Sequence, residues 1–210
     1  IRDSLQMLLI NAFSDRELKA VLDELFLDDT VDIIEEMPAN VVSRILKTTD
    51  PAKRKQINEL LNYPEDSAGS IMTTEFVYFR RDDTVKEAFE RIRSVGVVKE
   101  TVYTCYVTDC RRLVGRVSLL DLVVADENAI IEDIMDCTVV SVGTHDDQEV
   151  VANLFSKHDL AALPVVDAEN RIVGIITFDD AMDVIREESN EDMAMMSAVM
   201  PNEDLSLIHI

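Results

Sequence analysis

Basic residues are scarce in this chain of 210 residues: 20 Lys and Arg stand against 42 Asp and Glu, a formal net charge of −22. That balance excludes nucleic acid and anionic membrane surfaces as natural partners, because both carry the same sign. It also makes the compact state repel itself, a cost that cations relieve. Long apolar runs are missing as well. None approaches the roughly 18–20 residues needed to cross a bilayer, and the longest are of core-strand length. No secretory leader is visible. The sequence begins at Ile1 rather than Met, so a fragment of a longer protein is expected. Cysteine is limited to Cys105, Cys110 and Cys137, an odd number without metal or redox spacing, which reads as reduced thiols. Catalytic signatures are absent too. There is no P-loop, GxSxG or HExxH, and His145 and His158 have no nucleophile pattern nearby. An enzyme is not expected, and metal-dependent hydrolysis ranks last among the readings.

What the chain does contain is an internal repeat. Leu113-Val114-Gly115-Arg116-Val117-Ser118-Leu119-Leu120-Asp121 is echoed by Ile172-Val173-Gly174-Ile175-Ile176-Thr177-Phe178-Asp179-Asp180, with the glycines and the final aspartates each 59 positions apart. Ile71-Met72-Thr73 and Ile134-Met135-Asp136 open the two copies. A period near 60 is longer than the roughly 20–50 residues of solenoid units, and it suits two small modules packed as a pair. Within each copy the order is strand, helix, strand, strand, helix. In the first, Phe76–Phe79 is a strand, Thr84 caps a helix, 102–107 and 113–117 form a hairpin, and Ser118 caps a helix. In the second, 139–142 is a strand, 147–156 a helix, 163–166 and 172–176 strands, and a long acidic helix begins at Thr177 or Asp179.

The first 66 residues read as helical. Ser14-Asp15-Arg16-Glu17 is a capping box, followed by an apolar face of Leu18, Val21, Leu22, Leu25 and Phe26. Thr30 to Met37 is a second helix, stopped before Pro38. Val41, Val42, Ile45 and Leu46 mark a third, and Asp50-Pro51 an N-cap and first position of a fourth, through Leu61. The fold class is therefore α+β. A helical, superhelical domain spans 1–66, and repeat modules span 67–130 and 131–188. An acidic connecting helix starts over 189–204, and a tail over 205–210 is a truncation or cloning scar with no function attached.

The Gly-h-h-Ser/Thr-x-x-Asp segments, Gly115, Ser118, Asp121 and Gly174, Thr177, Asp180, resemble those of a tandem pair of cystathionine-β-synthase (CBS) domains. Such pairs regulate enzymes, channels and transporters alike. The whole arrangement is more specific. A helical domain joins the pair through Tyr63-Pro64-Glu65-Asp66-Ser67-Ala68-Gly69-Ser70-Ile71-Met72-Thr73, and Glu187-Glu188-Ser189-Asn190-Glu191-Asp192 follows it. This is similar to the cytosolic part of MgtE-type magnesium transporters. The resemblance implies a homodimer formed through the CBS domains, on the cytoplasmic face of a membrane, with a transmembrane pore domain C-terminal to this segment. Magnesium clamped between the helical domain and the CBS pair shuts the pore. The family's metal-binding carboxylates fall on Asp28 in the helical domain and on Asp180, Asp183, Glu149, Asp159, Glu188, Glu191 and Asp192.

The chemistry of these residues fits that role. Magnesium prefers one or two carboxylates plus retained waters. Two carboxylates about 5 Å apart repel by roughly 3 kcal/mol at an effective dielectric near 20, so ions between two lobes would reverse the sign of their interaction. Asp180 and Asp183 share a helix face, as do Glu188, Glu191 and Asp192. A solvated acidic helix face, with a cap at Asp179 or Asp180 and another at Asp28, is the bland alternative. The functional alternative is an adenine-nucleotide module of an enzyme or another transporter, with ATP held by Ser118, Asp121, Thr177 and Asp180 near helix N-termini. Leu160 and Thr104 stand where nucleotide-binding relatives offer an aromatic ring. Met193, Met195, Met196 and Met200 are expected to pack a helix against its neighbour.

Overall fold

The computed structural model describes residues 13–35, 37–95, 99–158 and 160–199. Four short helices come first: α1 (Asp15–Glu24), α2 (Leu27–Glu35), α3 (Ala39–Thr48) and α4 (Pro51–Leu60). The capping box is formed. Glu17 accepts from the Ser14 N–H at 2.9 Å, and the Glu17 N–H donates back to the Ser14 hydroxyl. Leu18 and Leu22 are buried, but Val21, expected on the same face, is 41% exposed.

α2 starts at Leu27, earlier than the expected Thr30. The Thr30 hydroxyl donates to the Phe26 carbonyl at 2.8 Å from within the helix, and Asp28 and Asp29 occupy the first turn. Negative charge is stabilised there by the exposed N–H groups, so neither aspartate stands ahead of the helix as a cap. Asp50 holds the N-cap position of α4 with Pro51 behind it, yet its side chain makes no capping hydrogen bond.

The two copies then build two three-stranded sheets of identical topology. In the first, β1 (Tyr78–Arg80) runs parallel to β2 (Thr104–Asp109), which pairs antiparallel with β3 (Arg112–Ser118). In the second, β4 (Val142–Gly143), β5 (Ala162–Val166) and β6 (Ile172–Thr177) repeat the pattern. The helices are α5 (Val85–Val95), α6 (Leu119–Val124), α7 (Ile131–Ile134), α8 (Gln148–His158) and α9 (Phe178–Val199). The first strands are later and shorter than expected: 78 and 79 of 76–79 pair, and only 142 of 139–142. α9 runs without a break across position 188. Met195 is 64% exposed on it, not packed as expected, and Met193 is 67% exposed. Met200 and the 205–210 tail lie outside the described residues. The three cysteines are free thiols.

The opening tripeptides are exchanged between copies. Thr73 pairs with Ile175 of β6 through hydrogen bonds of 2.8 and 2.9 Å, and Asp136 pairs with Arg116 of β3 through bonds of 2.8 and 2.9 Å. Each crossing strip passes over a repeat glycine. A Cβ on Gly174 would lie 2.8 Å from the Thr73 carbonyl oxygen and 2.6 Å from the Met72 sulfur. One on Gly115 would lie 2.7 Å from the Met135 sulfur. The glycine of the repeat motif therefore exists to let the exchanged strip lie flat. Thr73 cannot retreat without losing its pair of bonds to Ile175. Gly174→Ala is accordingly expected to cost about 1–3 kcal/mol, read as a lower urea midpoint at unchanged slope.

Apolar packing ties the helical domain to the second copy. Leu18, Leu22, Leu27, Val31, Ile34 and Ile57 belong to one continuous buried cluster with Met72, Val151, Phe155, Leu163 and Ile176. The first copy has its own core around Phe79, Val107, Val117 and Leu122. Tyr106, Leu113, Ala162, Val166 and Ile175 fill the space between the sheets. Docking in this arrangement brings the start of α2 opposite the start of α9.

Candidate metal centre

Between α2, the 63–71 connection and α9 lies a cleft of about 650 Å3. Asp28, Asp29, Asp32 and Glu35 come from α2, Glu65 and Asp66 from the connection, and Asp180, Asp183 and Glu187 from α9. Among the described residues, no Lys, Arg or His lines it. Nine carboxylates line one space, and that concentration of negative charge is the site's defining property.

Asp28 sits deepest in the electrostatic sense. One of its oxygens, Oδ1, is buried without a hydrogen-bond partner. Burial, then the charges of Asp180, Glu100 and Asp29, push its pKa up to about 7. Asp32 keeps contact with solvent and reaches about 6, through loss of surrounding water and through Glu35, Asp180, Asp29 and Glu187. Burial also raises Asp180 and Glu35. Asp180 is anchored by the turn that starts α9: its Oδ2 accepts from the Thr177 N–H and hydroxyl, leaving Oδ1 without a hydrogen bond.

A second group of acids backs the first. Glu75 and Glu100 are held together by the Glu100 N–H donating to the Glu75 carbonyl at 2.8 Å, and each has a buried carboxylate oxygen with no partner. Burial, then Asp180, Asp179, Asp29 and Glu75, lift Glu100 to about 7. Burial lifts Glu75 also, against the opposing charges of Lys53 and Lys99. Of these two cations, Lys53 has its ammonium committed to the Leu22 and Leu25 carbonyls, 2.7 Å each. Burial lowers its pKa despite the surrounding acids.

The residues expected from sequence divide into three sets. Asp28, Asp180 and Asp183 meet in the cleft, with Asp183 also paired to Arg186 at 2.6 Å. Glu149 stands exposed in the first turn of α8, outside the cleft lining. Glu188 lies half-buried on α9, its Oε1 3.5 Å from the Gln148 amide, which also reaches Asp66 at 3.1 Å. Asp159 and the side chains of Glu191 and Asp192 lie outside the described residues. Asp32 and Glu187 were missed, though spacing identifies them: Asp32 is four residues after Asp28, and Glu187 four after Asp183. Glu65, Asp66, Glu75 and Glu100 come from irregular segments with no periodic signal. His145 bonds to the Thr144 hydroxyl at 2.9 Å and meets the Tyr63 ring edgewise.

Among the described residues no three His, Cys, Asp or Glu side chains are grouped closely enough to hold one metal ion directly. The donors are all hard oxygens, spread around a roomy space. That fits a small hard cation that keeps part of its hydration shell and bridges carboxylates through water. It does not fit a thiophilic metal. At the nucleotide positions, Ser118 and Asp121 form a reciprocal cap on α6, with 2.6 Å between hydroxyl and carboxylate. Asp121 remains exposed. Asp180 belongs to the cleft wall, and Thr177 is buried behind it, donating to its Oδ2. None of the described helices is long and apolar enough to cross a membrane.

A helical domain docked on a pair of CBS modules is the class this fold defines, and the family models agree. Residues 1–66 match the MgtE intracellular N domain, and residues 68–128 and 131–187 match the CBS domain. A magnesium transporter MgtE of Thermus thermophilus is 42% identical over 178 residues, 82% of this chain and 39% of that protein. One of Bacillus subtilis is 32% identical over 194 residues, 92% of this chain and 43% of that protein. The crystal structure of the cytosolic domain of the Mg2+ channel MgtE in complex with ATP is similar at a TM-score of 0.83 and 40% identity, covering 87% of this chain and 75% of that one. The soluble part of a magnesium transporter gives 0.84 and 35%, over 87% and 72%. The chain belongs to the MgtE family. It spans about four-tenths of the length of the two transporters it matches.

Proposed function

We propose that this segment senses magnesium for a transporter or channel whose pore lies in the rest of the protein. Mg2+ held in the acidic cleft, by Asp28 from one lobe and Asp180 and Asp183 from the other, keeps the helical domain docked, and the docked state closes the pore. The observation that carries this reading is the unpartnered, buried Asp28 Oδ1 in a cleft shared with Asp180 of the other lobe and lined, among the described residues, by no basic side chain. A bound cation has a large differential affinity for the docked arrangement, because only that arrangement brings the carboxylates together. Glu149, Asp159, Glu188, Glu191 and Asp192 are assigned to further ions along α8 and α9, which pack on one another.

The segment works at the cytoplasmic face of the membrane as a homodimer built on its CBS modules. The support for dimerisation is the apolar face of α6, where Leu120, Val123 and Val124 are 69%, 63% and 78% exposed.

Small-angle scattering during a magnesium titration tests the reading. Compaction is expected at about 1 mM or above, the weak-site regime, at twice the 23.7 kDa chain mass. Asp28→Ala/Asp180→Ala is expected to lose or greatly weaken the response. An unchanged response would remove those residues from the mechanism.

A second reading is supported by the related structure solved with ATP. It places an adenine nucleotide at Ser118 and Asp121, at the start of α6, where N–H groups favour anions. Asp180 is already engaged in the cleft, and Leu160 and Thr104 supply no ring for the base. Compaction by ATP or AMP alone, with none by magnesium, would select this reading.

A further inference from the structure

Thr177 ends β6 behind the acidic cleft, and its buried hydroxyl lies against two carboxylates, those of Asp179 and Asp180. We infer that Thr177 is a specificity-determining positioning residue: by occupying one oxygen of Asp180 it limits that carboxylate to a single free oxygen, and so favours Mg2+ over Ca2+ as the ion that docks the helical domain. The inference rests on the magnesium-sensing reading above and deepens it.

The geometry sets which oxygen is used. Asp180 Oδ2 accepts from the Thr177 N–H at 3.3 Å and from the Thr177 hydroxyl. Oδ1 is left over on a side chain that lines the cleft. A hydroxyl bonded to an ionised carboxylate makes one of the stronger hydrogen bonds, and Thr177 is only 6% exposed, so water competes poorly for it. Asp183 has one oxygen taken as well, by Arg186 at 2.6 Å, but both of those side chains are exposed and such a pair yields readily. The buried restraint at Asp180 is the one that holds.

One oxygen per carboxylate suits Mg2+, which is small, octahedral and keeps much of its water. Ca2+ is larger, takes roughly 6–8 oxygens and often binds a carboxylate through both of its own. At Asp180 that second oxygen is available only if the Thr177 hydroxyl lets go. The hydroxyl has one proton and a second acceptor, Asp179 Oδ1 at 2.6 Å. It serves one carboxylate at a time, so Asp179 competes with Asp180 and sets how firmly Oδ2 is held. The first copy carries the same device away from the cleft: Ser118 donates to Asp121 Oδ2 at 2.6 Å, Leu120 stands where Asp179 does, and Asp121 is exposed.

Small-angle scattering of the whole chain, titrated separately with magnesium and calcium chloride, tests this through the ratio of the calcium midpoint to the magnesium midpoint for compaction. Thr177→Val is expected to lower that ratio by roughly fivefold. Thr177→Ser, which keeps the hydroxyl, should restore it, and Ser118→Ala should leave it unchanged. Asp179→Ala is expected to raise it by about twofold, because the proton is no longer shared. Thermal unfolding without divalent ions checks that each variant is folded. Should Thr177→Val fail to fold, the exposed Asp179 position decides, and an unchanged or lower ratio there overturns the inference. It is also overturned if Thr177→Val shifts both midpoints equally, as a merely structural role would, or if Thr177→Ser behaves like Thr177→Val. In each of those cases compaction of the unsubstituted chain by magnesium leaves sensing intact, whereas a chain that neither ion compacts removes both readings.

Discussion

In a chelator and without divalent ions, lowering the pH from about 8 to about 5.5 is expected to compact the protein as magnesium does. Asp28 and Glu100 sit near pKa 7 in the docked arrangement, against ordinary values of 3.8 and 4.5, and Asp32 sits near 6 against 3.8. A carboxylate whose pKa is higher docked than free holds its proton more tightly when docked. Docking therefore takes up protons, strengthens as pH falls through 7 towards 4, and weakens as pH rises back through 7. This is the reverse of an ion-paired carboxylate, whose stabilisation is lost in acid. Protons and magnesium then compete for the same oxygens. The magnesium response should be large at about pH 8 and small at about pH 5.5, where protons already neutralise the cleft. Scattering radii that do not change with pH in the chelator would show that the cleft acids are not opposing closure.

The second large effect concerns residues behind the cleft rather than in it. Glu75→Gln/Glu100→Gln is expected to lower the magnesium concentration needed for compaction. Each glutamate has a buried oxygen without a partner, and Glu100 adds its charge to that of Asp180 in raising Asp28. The amides keep the shape, remove two charges from the docked state and leave Asp28, Asp180 and Asp183 in place. Both glutamates are partly solvated, which screens them, so the expected shift is roughly fivefold rather than the hundredfold or more that fully buried charges would give. A midpoint that stays put or rises in the scattering titration would mean that Glu75 and Glu100 assist the ion instead of opposing closure.

Legibility in the sequence followed the range of the interactions. The capping boxes at Ser14, Thr84 and Ser118 depend on a partner three residues away, and all three formed as read. The repeat itself identified two equivalent modules. The start of α2 was misplaced because Thr30 is an ordinary cap residue, whereas here its hydroxyl bonds back to Phe26 from inside the helix. Val139 to Val142 has strand composition, yet only Val142 and Gly143 enter the ladder, because Asp136 just upstream is paired to Arg116 of the other sheet and 137–141 connect the two. That exchange is tertiary, and no local pattern announces it beyond the repeat glycines.

The same division holds for the site. Asp28 and Asp180 were reached through the family resemblance, while Asp183 also follows from helical spacing. Asp32 and Glu187 were legible by spacing and overlooked. Glu65, Asp66, Glu75 and Glu100 were not legible, because their proximity depends on how the connection and two loops pack against α2 and α9. Composition had announced the excess of negative charge, and the fold concentrates nine of those charges on one cleft.

The most direct measurement is the anomalous scattering of manganese, an oxygen-preferring substitute for magnesium, in crystals of this chain. A peak in the cleft is expected between the Asp28 and Asp180 carboxylates, bonded directly or through water, and it should vanish in Asp28→Ala/Asp180→Ala crystals. A helical domain docked as here with manganese bound elsewhere and none between those two side chains would contradict the central claim.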